Sequence, residues 1–82
     1  MIPTKDELKK EILKIVNDAY ENDMLVEISA LGNDLTNTFD ADRHNKQWVE
    51  LLAETLADME YNKTIVGYEV QMSDGYTKAY GL

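Results

Sequence analysis

The chain has 82 residues, with 16 acidic and 8 basic side chains and a formal net charge of −8. It contains no cysteine, which excludes a disulfide framework, a thiolate metal site and a thiol nucleophile. The length predicts a single domain over residues 1–82, and an apolar content of 44% argues against disorder.

The first predicted element is a helix that begins at a capping box and runs to about Asn22. Thr4 has the side chain of an N-cap, and Glu7 stands three residues later, where it can bond back to the cap. Apolar residues then recur at helical spacing, at Leu8, Ile12, Ile15, Val16 and Ala19. Lysines and acids alternate on the other face, which is typical of a solvated surface.

A β-hairpin is predicted next, over residues 24–39. Val26, Ile28 and Ala30 occupy alternate positions, as expected for a strand. Gly32-Asn33-Asp34 has the composition of a turn, so Leu35–Phe39 is predicted to return as the second strand.

A second helix is predicted to begin at Asp40 or Asp42 and to run to about Glu60. Its apolar face is formed by Trp48, Leu51, Leu52, Thr55, Leu56 and Met59. Asp-Gly is a strong hairpin signal, so a second hairpin is predicted over residues 64–81 with Asp74-Gly75 as its loop. That register turns Val66, Tyr68, Val70, Met72, Thr77 and Ala79 inward and Glu69, Gln71, Tyr76, Lys78 and Tyr80 outward.

The resulting order is helix, hairpin, helix, hairpin. We therefore predict an α+β fold in which two helices pack on one face of a small, four-stranded antiparallel sheet.

Residues for catalysis or metal binding are few. His44 is the single histidine, so zinc ligands are lacking, and its place beside the apolar face favours a packing role. Asp40–Asn45 is similar to the start of a calcium loop, but it lacks the glycine at position six and the glutamate at position twelve. There is no glycine-rich phosphate loop and no nucleophile elbow. We expect no metal, no cofactor and no enzymatic activity.

The second helix carries a row of acids, which we call the acidic row: Glu50, Glu54 and Asp58. Their four-residue spacing places them on one side of the helix, about 6 Å apart, which is comparable to the phosphates of a nucleic acid strand. Glu60 adds a fourth acid, and no base occurs between Lys46 and Lys63. This pattern indicates an anionic surface for a basic partner, with a solvated face that keeps the protein in solution as the alternative.

Three tyrosines are predicted to be exposed and to join this surface: Tyr61, Tyr76 and Tyr80. Exposed tyrosine is enriched at protein interfaces because it combines apolar area with a polar tip. Cross-strand packing is the alternative explanation for Tyr76 and Tyr80.

The sequence thus favours a small, acidic, non-enzymatic protein-binding module that binds a basic protein. The specific hypothesis is an inhibitor of the phage or mobile-element type, which blocks the nucleic-acid-binding surface of a host defence protein or nuclease. Alternatives are an immunity protein or antitoxin against a basic toxin, and a self-associating structural or accessory subunit that forms a homodimer. The charge disfavours direct contact with nucleic acid or with an anionic membrane. Without a signal peptide or a long apolar run, a cytoplasmic location is expected.

Overall fold

Three α-helices and one three-stranded antiparallel sheet form the computed structural model, which describes residues 2–82. The helices are α1 (Lys5–Glu21), α2 (Ile28–Thr38) and α3 (Lys46–Tyr61), and the strands are β1 (Val26–Glu27), β2 (Val66–Met72) and β3 (Gly75–Gly81). The strand order is β1-β3-β2. The α+β class is confirmed, but the sheet has three strands instead of four.

The capping box at the start of α1 is present as predicted. The Thr4 hydroxyl accepts the Glu7 backbone N–H at 3.2 Å, and the Glu7 carboxylate accepts the Thr4 N–H at 3.0 Å. These bonds, the backbone one foremost, hold the pKa of Glu7 below its ordinary value. Leu8, Ile12 and Val16 are completely buried, so α1 supplies one side of the core.

The predicted hairpin over residues 24–39 is wrong. Only Val26–Glu27 is a strand, and the following residues form α2. Leu31 and Leu35 lie one helical turn apart and are both fully buried, whereas Ala30 is exposed. Burying two leucines against the core outweighs the local strand alternation and the turn-like composition of residues 32–34.

The start of α3 also differs from the prediction. The N-cap is Asn45, whose side-chain oxygen accepts the backbone N–H groups of Gln47 at 2.9 Å and Trp48 at 3.3 Å. Asp42 instead accepts the His44 N–H within the preceding loop, at 2.9 Å. Asp40 follows the end of α2 with a φ of 50°, so neither aspartate caps α3.

All three helices end in the same way. Asp23, Asp40 and Lys63 take positive φ angles of 56°, 50° and 60° just beyond α1, α2 and α3. After α3, for example, Thr64 N–H bonds to Met59 O at 2.9 Å and Lys63 N–H bonds to Glu60 O at 3.0 Å, which is the Schellman pattern. Glycine is preferred at such positions, so each non-glycine residue there is strained.

Replacing Lys63 by glycine tests this strain. Relief of the left-handed conformation is worth about 1–2 kcal/mol, and the extra flexibility of glycine in the unfolded chain removes about 0.5–1 kcal/mol of that. We expect Lys63→Gly to raise the free energy of unfolding by about 0.5–1 kcal/mol in urea denaturation. The neighbouring Asn62→Gly, at a φ of −81°, should instead lower it. Equal changes in the two variants would contradict the assigned conformations.

A buried tryptophan of α3 connects this helix with α2 inside the core. Trp48 is 1% exposed, and its indole N–H donates to the Thr36 hydroxyl at 3.1 Å. The Phe39 ring lies 6.2 Å from the Trp48 ring. The other buried apolar residues of the cluster are Leu8, Ile12, Val16, Leu31, Leu35, Leu56, Met59, Ile65 and Tyr80.

The second hairpin forms, but its loop and the exposure of several of its side chains differ from the prediction. Met72 pairs with Gly75, so the loop is Ser73-Asp74. Gly75 has a φ of 137°, which L residues rarely adopt, and it is used as the first residue of β3. The loop thus lies one residue earlier than predicted, and each cross-strand partner is shifted by two residues. A shift of two residues keeps Val66, Tyr68, Val70, Thr77 and Ala79 on one face, as predicted.

At the end of the hairpin next to β1, both faces are buried: Ala79 on this face is 1% exposed, and Tyr80 lies on the other. Tyr80, predicted to face outward, is 2% exposed and belongs to the core cluster. Tyr68 and Met72, predicted to face inward, are each 42% exposed. The alternation of side chains was therefore correct. Ala79 is 1% exposed and Glu69, Gln71 and Tyr76 are exposed, as predicted, whereas Val66, Tyr68, Met72 and Tyr80 are not placed as predicted.

Candidate protein-binding surface

The acidic row lies on the solvent side of α3. The Glu50 and Glu54 side chains are 65% and 66% exposed, and that of Asp58 is 44% exposed. The buried residues Trp48 and Met59 define the opposite side of the helix. All three carboxylates are thus accessible to another molecule.

Two lysines of the chain pair with this row. Lys5, the first residue of α1, donates to the Glu54 carboxylate at 3.1 Å and also bonds to Asp58. Lys46 lies 3.9 Å from the Glu50 carboxylate, one helical turn away. Exposed ion pairs of this kind contribute little to stability. They do reduce the negative charge of the surface, because three carboxylates lie beside two ammonium groups.

The ion pair with Lys5 predicts how Asp58 titrates. The hydrogen bond from Lys5 holds the pKa of Asp58 below its ordinary value of 3.8, and bonds to Asp58 and Glu54 raise the pKa of Lys5 above 10.5. A lowered carboxyl pKa means that the stabilising contribution is complete above the unfolded-state pKa and disappears as the pH falls through the folded one.

We therefore expect the Asp58 carboxyl carbon, followed by NMR, to titrate below pH 3.8 in the native chain and closer to its ordinary value in Lys5→Met. Lys9 lowers the Asp58 pKa only by a smaller, through-space charge effect. Lys9→Met removes the same charge from α1 and should shift the midpoint less. Equal shifts in the two variants would contradict a direct bond.

Tyr61 extends the acidic row at its C-terminal end. It is 87% exposed and lies seven residues after Glu54, which places it two turns further along nearly the same side of α3. The structure thus brings together four of the predicted site residues on the exposed face of α3. We call this set the α3 surface: Glu50, Glu54, Asp58 and Tyr61.

Glu60 and Tyr76 lie in a different place, beside the hairpin. The Glu60 carboxylate accepts a bond from the Lys78 ammonium at 2.8 Å, and this bond raises the pKa of Lys78. The ion pair crosses over Gly67, where an added Cβ would come within 2.2 Å of the Glu60 carboxylate. Tyr76, 73% exposed, lines a cleft of about 440 Å³ together with this pair.

The prediction that Tyr80 is exposed is wrong. Its ring lies in the core, where burial raises the pKa of its hydroxyl, and the Lys78 ammonium lies 5.5 Å from the ring centroid. Tyr80 contributes to folding and is no longer part of the binding surface.

A groove between α2 and α3 was not predicted, because α2 itself was not predicted. It has a volume of about 240 Å³, and its apolar lining includes Ile28, Val49 and Leu52, of which Ile28 and Val49 are 41% and 49% exposed. Val49 directly precedes Glu50, but successive residues point about 100° apart around a helix, so the groove and the acidic row lie on different sides of α3. The helical spacing of Ile28, Leu31 and Leu35 was the available sequence signal.

Three further observations concern chemistry and relatives. Within residues 2–82, no group of three or more His, Asp or Glu side chains is arranged to hold a metal ion. None of the helices in that range is long and apolar enough to cross a membrane. Comparison with protein-family models, with curated proteins and with solved structures gave no match.

Proposed function

We propose that this chain is a non-enzymatic protein-binding module that uses the α3 surface to bind a basic protein. The observation that carries the proposal is the position of Tyr61. This tyrosine is 87% exposed and continues the line of the exposed carboxylates Glu50 and Glu54. Exposed tyrosine is enriched at interfaces, where its ring supplies contact area, and complementary charges between the two partners supply specificity.

A basic partner fits the charge of this region. Lysine or arginine side chains of the partner would replace Lys46, which lies at 3.9 Å and is 87% exposed, and would compete with Lys5. Attraction at long range would speed association, because the chain carries a net charge of −8.

The specific form of the proposal is an inhibitor of the phage or mobile-element type. The carboxylates of the acidic row follow one another at about 6 Å. A surface that binds a phosphate backbone can accept such a row, so the protein would occupy the nucleic-acid-binding surface of a host defence protein or nuclease. Competition with nucleic acid is therefore the decisive property.

The experiment is capture from a host lysate followed by competition. Tagged protein is used to isolate partners, which mass spectrometry identifies, and each purified partner is then tested for binding of a fluorescent DNA duplex. We expect a basic partner that releases the duplex when this protein is added and that dissociates from this protein as salt rises. A partner that holds this protein and the duplex together would contradict the inhibitor proposal. Capture that is insensitive to salt would contradict the α3 surface as the binding site.

A further inference from the structure

The hairpin of β2 and β3 extends beyond the rest of the sheet. β1 pairs with β3 only at Tyr80 and Ala79, so residues 75–78 of β3 have β2 as their one partner in the sheet. Two-stranded ribbons are marginally stable alone and usually gain a third strand. The Glu60–Lys78 ion pair is the contact that ties this part of the hairpin to α3.

The free edge of β2 is open to another strand. β2 is an edge strand over all seven of its residues, and its sequence contains no proline or lysine and one charged residue, Glu69. Prolines and lysines are the usual means by which edge strands avoid pairing. The edge of β2 therefore lacks the usual protection against strand addition.

The register of the hairpin determines which backbone groups lie on this edge. Met72 and Gly75 flank a two-residue loop, so they form a hydrogen-bonded pair. Hydrogen-bonded and non-bonded pairs alternate along an antiparallel ladder. The N–H and C=O groups of Gly67, Glu69 and Gln71 consequently point away from β3 and are available to a further strand.

We propose that β2 pairs antiparallel with β2 of a second copy of this chain, about a two-fold axis at Val70, to form a continuous six-stranded sheet. This register places Glu69 opposite Gln71 of the second copy, and both residues have outward-pointing backbone groups. It places Tyr68 opposite Met72 of the second copy. An axis at Glu69 would instead set two carboxylates directly opposite each other, which is unfavourable.

The side chains on the open face of the sheet match this pairing. Tyr68 and Met72 are each 42% exposed on the face opposite Tyr80, and Val70 lies between them on the same face. Aromatic rings and methionine sulfur make favourable contacts. In the dimer, each Tyr68 ring faces Met72 of the other chain, so one such pair lies on each side of the central valine pair. The apolar strip then continues across both chains.

Self-pairing of β2 does not depend on the α3 surface, and the two respond to salt in opposite ways. Each chain carries a charge of −8, so two copies repel each other and salt strengthens the dimer by screening. Binding of a basic partner weakens with salt. Dimerisation can therefore fail while partner binding succeeds, and the reverse.

The first test is sedimentation equilibrium of the full chain from micromolar to sub-millimolar concentration, in low salt and in about 0.5 M salt. We expect a monomer–dimer equilibrium that shifts toward dimer with salt. Gln71→Pro removes one outward N–H without removing a bond of the hairpin, since proline is tolerated on an edge strand, and should weaken the dimer at least tenfold. Gln71→Ala keeps the N–H and should dimerise as the native chain does. A monomer throughout, or equal dimerisation of both variants, would overturn the proposal.

The second test locates the two-fold axis. The chain has no cysteine, so Val70→Cys introduces a single thiol. Facing residues in a non-hydrogen-bonded antiparallel pair have Cα atoms about 4.5 Å apart, which is within the range of a disulfide. Under mild oxidation, Val70→Cys should form covalent dimers much faster than Asp74→Cys in the exposed loop. Equal rates, which a dimer formed through another surface would give, would contradict this register.

Discussion

Trp48→Ala is expected to lower the free energy of unfolding by about 3–5 kcal/mol. Trp48 is 1% exposed, and its indole N–H bonds to Thr36 of α2. The substitution leaves a cavity beside the Phe39 ring and removes the indole N–H that donates to the Thr36 hydroxyl. Because small domains are stable by about 5–15 kcal/mol, such a loss approaches the whole stability of this one.

Two variants separate the packing from the hydrogen bond and from general surface effects. Trp48→Phe retains most of the ring volume but lacks the N–H to Thr36, so we expect an intermediate loss of about 1–2 kcal/mol. Tyr61→Ala removes an aromatic ring that is 87% exposed and should change stability by less than about 0.5 kcal/mol. Urea denaturation followed by circular dichroism measures all three. If Trp48→Ala lowered the free energy of unfolding no more than Tyr61→Ala does, the burial of Trp48 against α2 would be contradicted.

The second large effect concerns partner binding. The triple variant Glu50→Gln, Glu54→Gln, Asp58→Asn is expected to weaken binding of the captured basic partner at least a hundredfold. Each neutralisation removes one carboxylate that a partner lysine or arginine would contact, and charge-assisted bonds of this kind are among the stronger interface contacts. The fold should persist, because the three side chains are at least 44% exposed and their ion pairs contribute little to stability.

The matched control changes the same number of charges elsewhere. Asp18→Asn, Asp34→Asn, Asp74→Asn gives the same net charge from exposed acids outside α3. Titration calorimetry with the captured partner, at one salt concentration, compares the two triple variants. A loss confined to the α3 variant supports the α3 surface. Equal losses would show that only net charge matters, and unchanged binding in both would place the interface elsewhere.

The predicted position of the acidic row followed from the sequence, whereas its electrostatic state did not. Four-residue spacing within one helix puts Glu50, Glu54 and Asp58 on one side whatever the helix packs against. Lys5, however, is about fifty residues away along the chain and reaches Glu54 and Asp58 only because α1 lies beside α3. Contacts between distant segments have no local sequence signal.

The elements that the sequence by itself determined are those governed by interactions within a few residues. α1 follows from the capping box at Thr4 and from apolar spacing over about three turns, and the second hairpin follows from strand residues that flank a turn. The α+β class follows from these elements together. In α1 the local signals and the burial of Leu8, Ile12 and Val16 in the core favour the same helix, so tertiary packing reinforces the local preference.

Tertiary structure alone decided α2 and which side chains of the hairpin are buried. Residues 28–38 have a strand-like start and a turn-like middle, and they become helical because a helix buries Leu31 and Leu35 in the core. Alternation along β3 places Ala79 and Tyr80 on opposite faces, and both are buried because the core packs against the end of the hairpin next to β1. In both cases the free energy of burying large apolar side chains exceeds local preferences, and which side chains can be buried depends on the packing of the whole chain.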